Sequence, residues 1–307
     1  MKRRTRLPLL LALMVATALL AGKGLTSASR AASSSSPSWL AEINSYREAT
    51  GLAPVSDDRG YDAGIRAHIR YLELTPKRYI TGKYANLHTE NPASPYYTAA
   101  GALEAGASDL DLGEATNGPG AINVWLTAPF HAIGMLRPGL RRVGLAWDSK
   151  GYAGLDVIRG LGAPPPGRPT ANGQPVLFPG PNMTTGLTTF GGEVPDPLQT
   201  CHWVGRSTGL PLIVLLPKPP PRGLFASLTT GASTASNANR KLCIVDAHTF
   251  YTTDTIYGPT GRGILASDNA VLMIPLEVLH DGLYTAQLKL PRETAIKWSF
   301  TVRQSGR

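Results

Sequence analysis

The chain has 307 residues, of which 42% are hydrophobic and 17% charged, so it can bury a core and is not broadly disordered. Its 33 glycines and 26 prolines favour turns and short strands over long helices, which excludes a coiled coil and a multi-span membrane protein. The formal net charge of +9 invites a nucleic-acid partner, but its distribution argues against one. Residues 1–30 hold six basic side chains and no acid, and the remainder carries 24 basic against 21 acidic residues.

Those first 30 residues have the form of a secretory signal peptide. A basic start, MKRRTR, precedes an apolar run from Leu7 to Gly22, too short for an ordinary membrane span. A Ser-rich leader (31–37) follows. The expectation is a secreted or cell-envelope protein with no membrane span after cleavage and no nucleic-acid partner. Outside the cytosol the two cysteines, Cys201 and Cys243, are expected to form a disulfide.

Residues 38–160 alternate helical patterns with turns. SWLAEINSYREATG places Leu40, Ile43 and Tyr46 at helical spacing. YDAGIRAHIRYLELTP puts Ile65, His68, Ile69 and Leu72 on one face and stops before Pro76. A third helix, AINVWLTA, carries Ile122, Trp125 and Leu126 and ends at Pro129. RVGLAW and YAGLDVI then read as a hairpin turning around Asp148–Gly151. His68 and Trp125 are expected in packed positions. Asp109, Asp111 and Glu114 read as a solvated acidic loop, and Arg137, Arg141 and Arg142 as a solvated basic patch.

Residues 161–175 hold eight Pro or Gly in fifteen and predict a semi-rigid linker. From 176 to 307 the pattern is β-rich: LPLIVLLP, KLCIVDAHTFYTT, NAVLMIPLEVL, LYTAQLKL and AIKWSFTV are separated by turn residues, the signature of a sandwich. The expected class is α+β, an α/β domain followed by an all-β sandwich of immunoglobulin-like type.

The sequence lacks GxSxG, HExxH, GxxxxGK[ST] and GxGxxG, which removes the common hydrolase-elbow, metalloprotease and nucleotide motifs. What remains is His88 in NLHTENP, Glu104 in GALEAG, Ser108 in GASDL and His131 in APFHAIGML. With the opening helix, AHIRYL, the YYTAAGALEAGASDL stretch, Trp125, PFH and the VG hairpin, these occur in an order that resembles the CAP superfamily (cysteine-rich secretory proteins, antigen 5 and pathogenesis-related 1 proteins; SCP/TAPS). The resemblance covers about Trp39–Gly160. His131 and Gly144 also stand at the family's spacing.

That resemblance implies a three-layer α–β–α sandwich whose cleft often carries two His and two Glu able to hold zinc or another divalent cation. His88 and His131 match the two histidines. Ser108 stands where the first family Glu is expected and Ala128 where the second is, so Glu90 and Glu104 become candidate substitutes. Three functions follow as expectations. One is a non-catalytic binding protein whose cleft takes a small, lipid-like or peptide ligand, with or without a metal. Another is a hydrolase in which Ser108 or a metal acts beside the His pair. A cell-envelope scaffold is the third.

Overall fold

The structure is a computed structural model that describes residues 37–115, 117–168, 170–231 and 240–304. The expected signal peptide and nearly all of the leader lie outside the described residues.

The helical spacing read in the sequence marks real buried faces. Helix α1 (Ser38–Ala49) buries Trp39, Leu40, Ile43 and Arg47. Helix α2 (Arg59–Leu74) is capped by Asp58, whose carboxylate accepts the Gly60 N–H at 3.0 Å. It ends at Thr75, in the extended conformation that the residue before a proline favours.

Between these helices lies a sheet of order β2–β5–β4, all antiparallel: β2 (Ser108–Leu112), β5 (Tyr152–Asp156) and β4 (Leu145–Trp147). Successive residues on a strand face opposite sides, and the sheet divides accordingly. Ala146 and Tyr152 join Tyr61, Ile65 and Ile69 of α2 in one apolar cluster. Leu145, Ala153 and Leu155 join Trp39 and Ile43 of α1, Ile122 and Trp125 of α4 (Gly118–Thr127), and Ile133 of α5 (Pro129–Met135) in the main core. Helix, sheet, helix is the three-layer arrangement expected.

The β4–β5 turn forms because Asp148 accepts the N–H groups of Lys150 and Tyr152 at 2.8 and 3.0 Å, while Gly151 takes φ 90°. A two-residue parallel pair, β1 (Ser56–Asp57) with β3 (Arg142–Val143), stands apart from this sheet. The short α3 (Ala99–Ala105) crosses α2 closely at Gly64, where an added Cβ would meet the Glu104 Cγ at 2.6 Å.

The rest of the described chain builds two four-stranded sheets. The first has the order β10–β11–β8–β6, with β6 (Val176–Phe178), β8 (Leu212–Leu215), β10 (Leu242–Val245) and β11 (Ala270–Pro275). The second has the order β7–β13–β12–β9, with β7 (Thr184–Thr185), β9 (Phe225–Thr230), β12 (Gly282–Lys289) and β13 (Ile296–Val302). Every residue of β8 and β11 is buried, whereas β12 and β13 alternate. The reason is layering. The second sheet has one face in the core and one in water, while the first is covered on both faces, by the second sheet and by α5 and α6 (Gly258–Ser267). Continuous apolar runs such as LIVL and AVLMIP are the sequence form of that double cover.

Two features depart from the expected all-β second half. Helix α6 holds three glycines in ten residues, a composition with poor helix propensity. Gly261 shows what the glycines provide: a Cβ there would reach Pro195 at 2.8 Å and Phe130 at 3.2 Å. The two portions also share one core. Tyr46 meets Phe178 at 6.2 Å between ring centroids, and the Gly191 N–H donates to the Thr127 carbonyl at 3.3 Å. The Pro/Gly-rich segment thus connects parts of one compact unit. Cys201 and Cys243 form a disulfide between the 3-10 turn Pro197–Cys201 and β10.

Candidate functional site

His88 sits on the loop before α3, and its Nδ1 lies 2.9 Å from the Ala105 carbonyl. A carbonyl only accepts, so Nδ1 carries the proton and donates, and in the neutral ring Nε2 is left with a lone pair. Burial pushes this imidazole below its ordinary value and keeps it in that neutral form. Tyr257 holds the loop, accepting the Leu87 N–H at 2.7 Å and meeting the His88 ring edge-on at 6.1 Å.

His131 is the third residue of α5. Its Nδ1 lies 3.0 Å from Oε2 of Glu193, whose side chain is fully buried. The same carboxylate accepts the Phe130 N–H at 3.0 and 3.1 Å, capping a helix whose own N-cap, Ala128, offers no side-chain acceptor. Burial depresses the His131 imidazole. The Glu193 hydrogen bond and the charges of Asp109, Glu193 and Asp111 outweigh it, for a net rise. Buried carboxylate, oriented imidazole and a free Nε2 form the arrangement that presents histidine to a ligand or a proton.

Both rings line one cavity of about 400 Å³. Ser108 and Asp109 of β2 contribute to its polar lining, and Phe130, Val157, Val194, Pro195 and Ile264 to its apolar lining. Both portions of the chain therefore build it. Of the residues singled out in the sequence, His88, His131 and Ser108 come together here.

Glu90 and Glu104 do not line this cavity. Glu90 is buried against His68 Nδ1 at 2.9 Å and accepts the Thr98 N–H at 3.1 Å. His68 reaches the Leu87 carbonyl through Nε2 at 2.8 Å, so this pair braces the loop that carries His88. Glu104 is buried beneath Arg159, with which it pairs, and stands beside Asp156. Both candidate substitutes thus support the structure behind the cleft. Ser108 Oγ makes no hydrogen bond to either imidazole, nor to any other described group.

Three other side chains stand in settings that differ from those the sequence suggests. Asp109 and Asp111 are buried on β2, opposite Leu155 and Ala153 of β5, and are not part of a solvated loop. Burial drives the Asp109 carboxyl up to about 7, against the pull of His131 and Arg137. Arg137 belongs to no solvated patch: it lines the cavity and holds Asp268 in a two-pronged pair at 3.0–3.2 Å. Glu193 carried no sequence signal, because it follows two glycines in a turn-rich stretch 62 residues beyond its partner.

The donor set does not fit a protein-held zinc. Among the described residues no three His, Cys, Asp or Glu side chains gather closely enough to hold an ion, and two imidazoles leave that coordination incomplete. Replacing Glu193 with Gln, which cannot accept the Phe130 N–H and the His131 proton with the same two oxygens, is expected to cost about 1–3 kcal/mol of stability. Urea unfolding measures the loss, and the His131 ring ¹⁵N shifts report whether the Nδ1–H form persists.

No curated protein matches the chain. Among solved structures, it is similar to PcoC, a methionine-rich copper resistance protein from Escherichia coli. Two PcoC structures align at 13% identity over 41% of this chain and 93% or 95% of theirs, with a TM-score of 0.25. Residues 40–156 match the family model described as the cysteine-rich secretory protein family, CAP. With α1, α2, α4 and α5 layered on the β2–β5–β4 sheet and two histidines in the cleft, this part of the chain forms a CAP domain.

Proposed function

We propose that this CAP-domain protein is a binding protein that holds a small organic ligand in the His88/His131 cavity. The observation that carries the reading is the shared commitment of the two rings. Each gives its Nδ1–H to a fixed acceptor and leaves Nε2 without a partner among the described residues, on a cavity of ligand size. Apolar walls with few polar groups are the ordinary make-up of such a site. A Ser-based hydrolase is less well supported, since Ser108 Oγ lacks the hydrogen bond to a base that a nucleophile uses. The disulfide supports a working place outside the cytosol. Among the described residues no helix is long and apolar enough to cross a membrane.

A fluorinated fragment set screened by ¹⁹F NMR against the full chain tests the reading, with a His88→Ala/His131→Ala double variant as control. Hits that bind the native protein and are lost in the double variant are expected. Hits indifferent to the double variant would move the ligand site elsewhere. Stoichiometric zinc uptake in calorimetry, lost in the same variant, would replace the organic ligand with a metal centre. Ester or amide turnover abolished by Ser108→Ala would make the protein a hydrolase.

A further inference from the structure

The polar atoms around the cavity divide into those a ligand can reach and those it cannot. Ser108 Oγ and Asp109 Oδ2 are closed off from solvent. Nε2 of His88 and Nε2 of His131 are free of hydrogen bonds among the described residues and stay open to the cavity. Arg137, on the same wall, is held by Asp268. Asn86 and Thr89 are spent on the His88 loop, where they bond the His88 N–H and the Lys83 carbonyl. The imidazoles therefore carry the polar chemistry of the site.

The two rings hold their protons differently. Glu193 is fully buried, and a buried carboxylate needs a counter-charge. Among the described residues its ion-pair partner is His131; the Phe130 N–H that also reaches it is neutral. Asp109 and Asp111 on β2 act on the His131 ring in the same sense. His131 is thus the imidazolium, and its Nε2 bears a hydrogen. His88 meets the Ala105 carbonyl and the Tyr257 ring, and a charge on His131 disfavours one on it. Its Nε2 keeps a lone pair. One cavity thus presents a charged donor and a neutral acceptor.

A cationic head group would meet the His131 N–H as a second donor. An anion that carries no proton would leave the His88 lone pair unused. A carboxyl group uses both: one oxygen accepts from His131, and the other shares a proton with His88. The mouth indicates what the group is attached to. Ile158, Val194 and Ile256 line the cavity yet are 44%, 61% and 52% exposed, an aliphatic rim above the buried Phe130 and Val157.

We propose that the cavity selects a small monocarboxylate, which accepts from His131 Nε2–H, brings in one proton from solution to share with His88 Nε2, and lays its apolar body against Ile158, Val194 and Ile256. This rests on reading the cavity as a ligand site and specifies what that site takes. Burial raises the Asp109 carboxyl to about 7, so at pH 6 it is mostly uncharged and repels the ligand little.

Hexanoate, hexanol and hexylammonium share one body and differ in the head. Their affinities for the full chain are compared by NMR titration at pH 6, and proton uptake is read by calorimetry in buffers of different ionisation enthalpy. Hexanoate is expected to bind at least about tenfold tighter than the other two, with uptake of about one proton per ligand. His131→Phe should erase the preference, and His88→Phe should remove the proton uptake. Both readouts on the native protein stand by themselves should a variant fail to fold. Hexanol or hexylammonium binding as tightly as hexanoate, and lost in the His88→Ala/His131→Ala double variant, would overturn the carboxylate assignment and keep the cavity as a ligand site. So would binding by none of the three while fluorinated fragments still bind the cavity; loss of both would overturn the ligand site as well. Hexanoate bound without proton uptake would overturn the two-imidazole clamp.

Discussion

Arg47→Met is expected to destabilise the protein by about 3–5 kcal/mol, on the scale of breaking a buried charged network. Arg47 is 0% exposed, on the inner face of α1, with no acidic partner among the described residues. Its guanidinium is satisfied by backbone carbonyls alone: Nε to Ala53 at 2.9 Å, Nη1 to Met135 and Arg137 at 2.5 and 3.2 Å, and Nη2 to Leu140 at 3.1 Å. Burial pulls the group down to about 10, which still leaves it charged at neutral pH. Methionine fills much of the space but donates nothing, so four carbonyls lose a charged donor at once. Arg47→Lys should also be costly, because a compact ammonium cannot span acceptors from Ala53 to Leu140 as a planar fork does. Urea unfolding of the native chain and both variants decides the matter. A loss below about 1 kcal/mol for both would show that the carbonyls find other donors.

Arg47 also shows where the sequence stops being legible. Its phase, four residues beyond Ile43, put it on the buried side of α1, yet nothing nearby announced carbonyl partners up to 93 residues away. Elements whose burial follows a local period were readable: α1, α2 and α4 from helical spacing, β12 and β13 from alternation. The continuous runs of β8 and β11 marked strands without revealing what covers them. Helix α6 was missed because its glycines serve close packing against Phe130 and Pro195, which is tertiary information. The site divides in the same way. His88 and His131 were found through the order of motifs that resembles the CAP family. Their supporting groups, Glu193 and Tyr257, come from the other half of the chain, and Asp109 is buried only because β2 pairs with β5.

Stability should fall as pH rises from about 5 to 8. Burial drives both Glu104 and Asp109 up to about 7, and it also raises Glu193. A carboxyl whose folded value lies above its unfolded one holds its proton more tightly in the native state. Its stabilising contribution is complete at low pH and is lost as pH climbs through the folded value. His131, also raised, acts in the same sense, while His88, lowered, opposes it and favours higher pH. The geometry gives the Glu104 effect a concrete form. Glu104 Oε2 and Asp156 Oδ2 are both buried without a donor, and Glu104 is raised after burial by the Asp156 charge, as for two carboxylates sharing one proton. Arg159 pairs with Glu104 and offsets part of the repulsion. At about 1.4 kcal/mol per pKa unit, reduced by the opposing His88 contribution and by relaxation, the total loss across this window is on the order of 2–4 kcal/mol. Glu104→Gln replaces the shared proton with an amide that donates to Asp156 while its carbonyl still accepts from Arg159. The variant should lose much of the slope and unfold at higher urea than the native chain at pH 8. Stability that stays flat or rises from pH 5 to 8 in the native protein would rule out a proton held between Glu104 and Asp156.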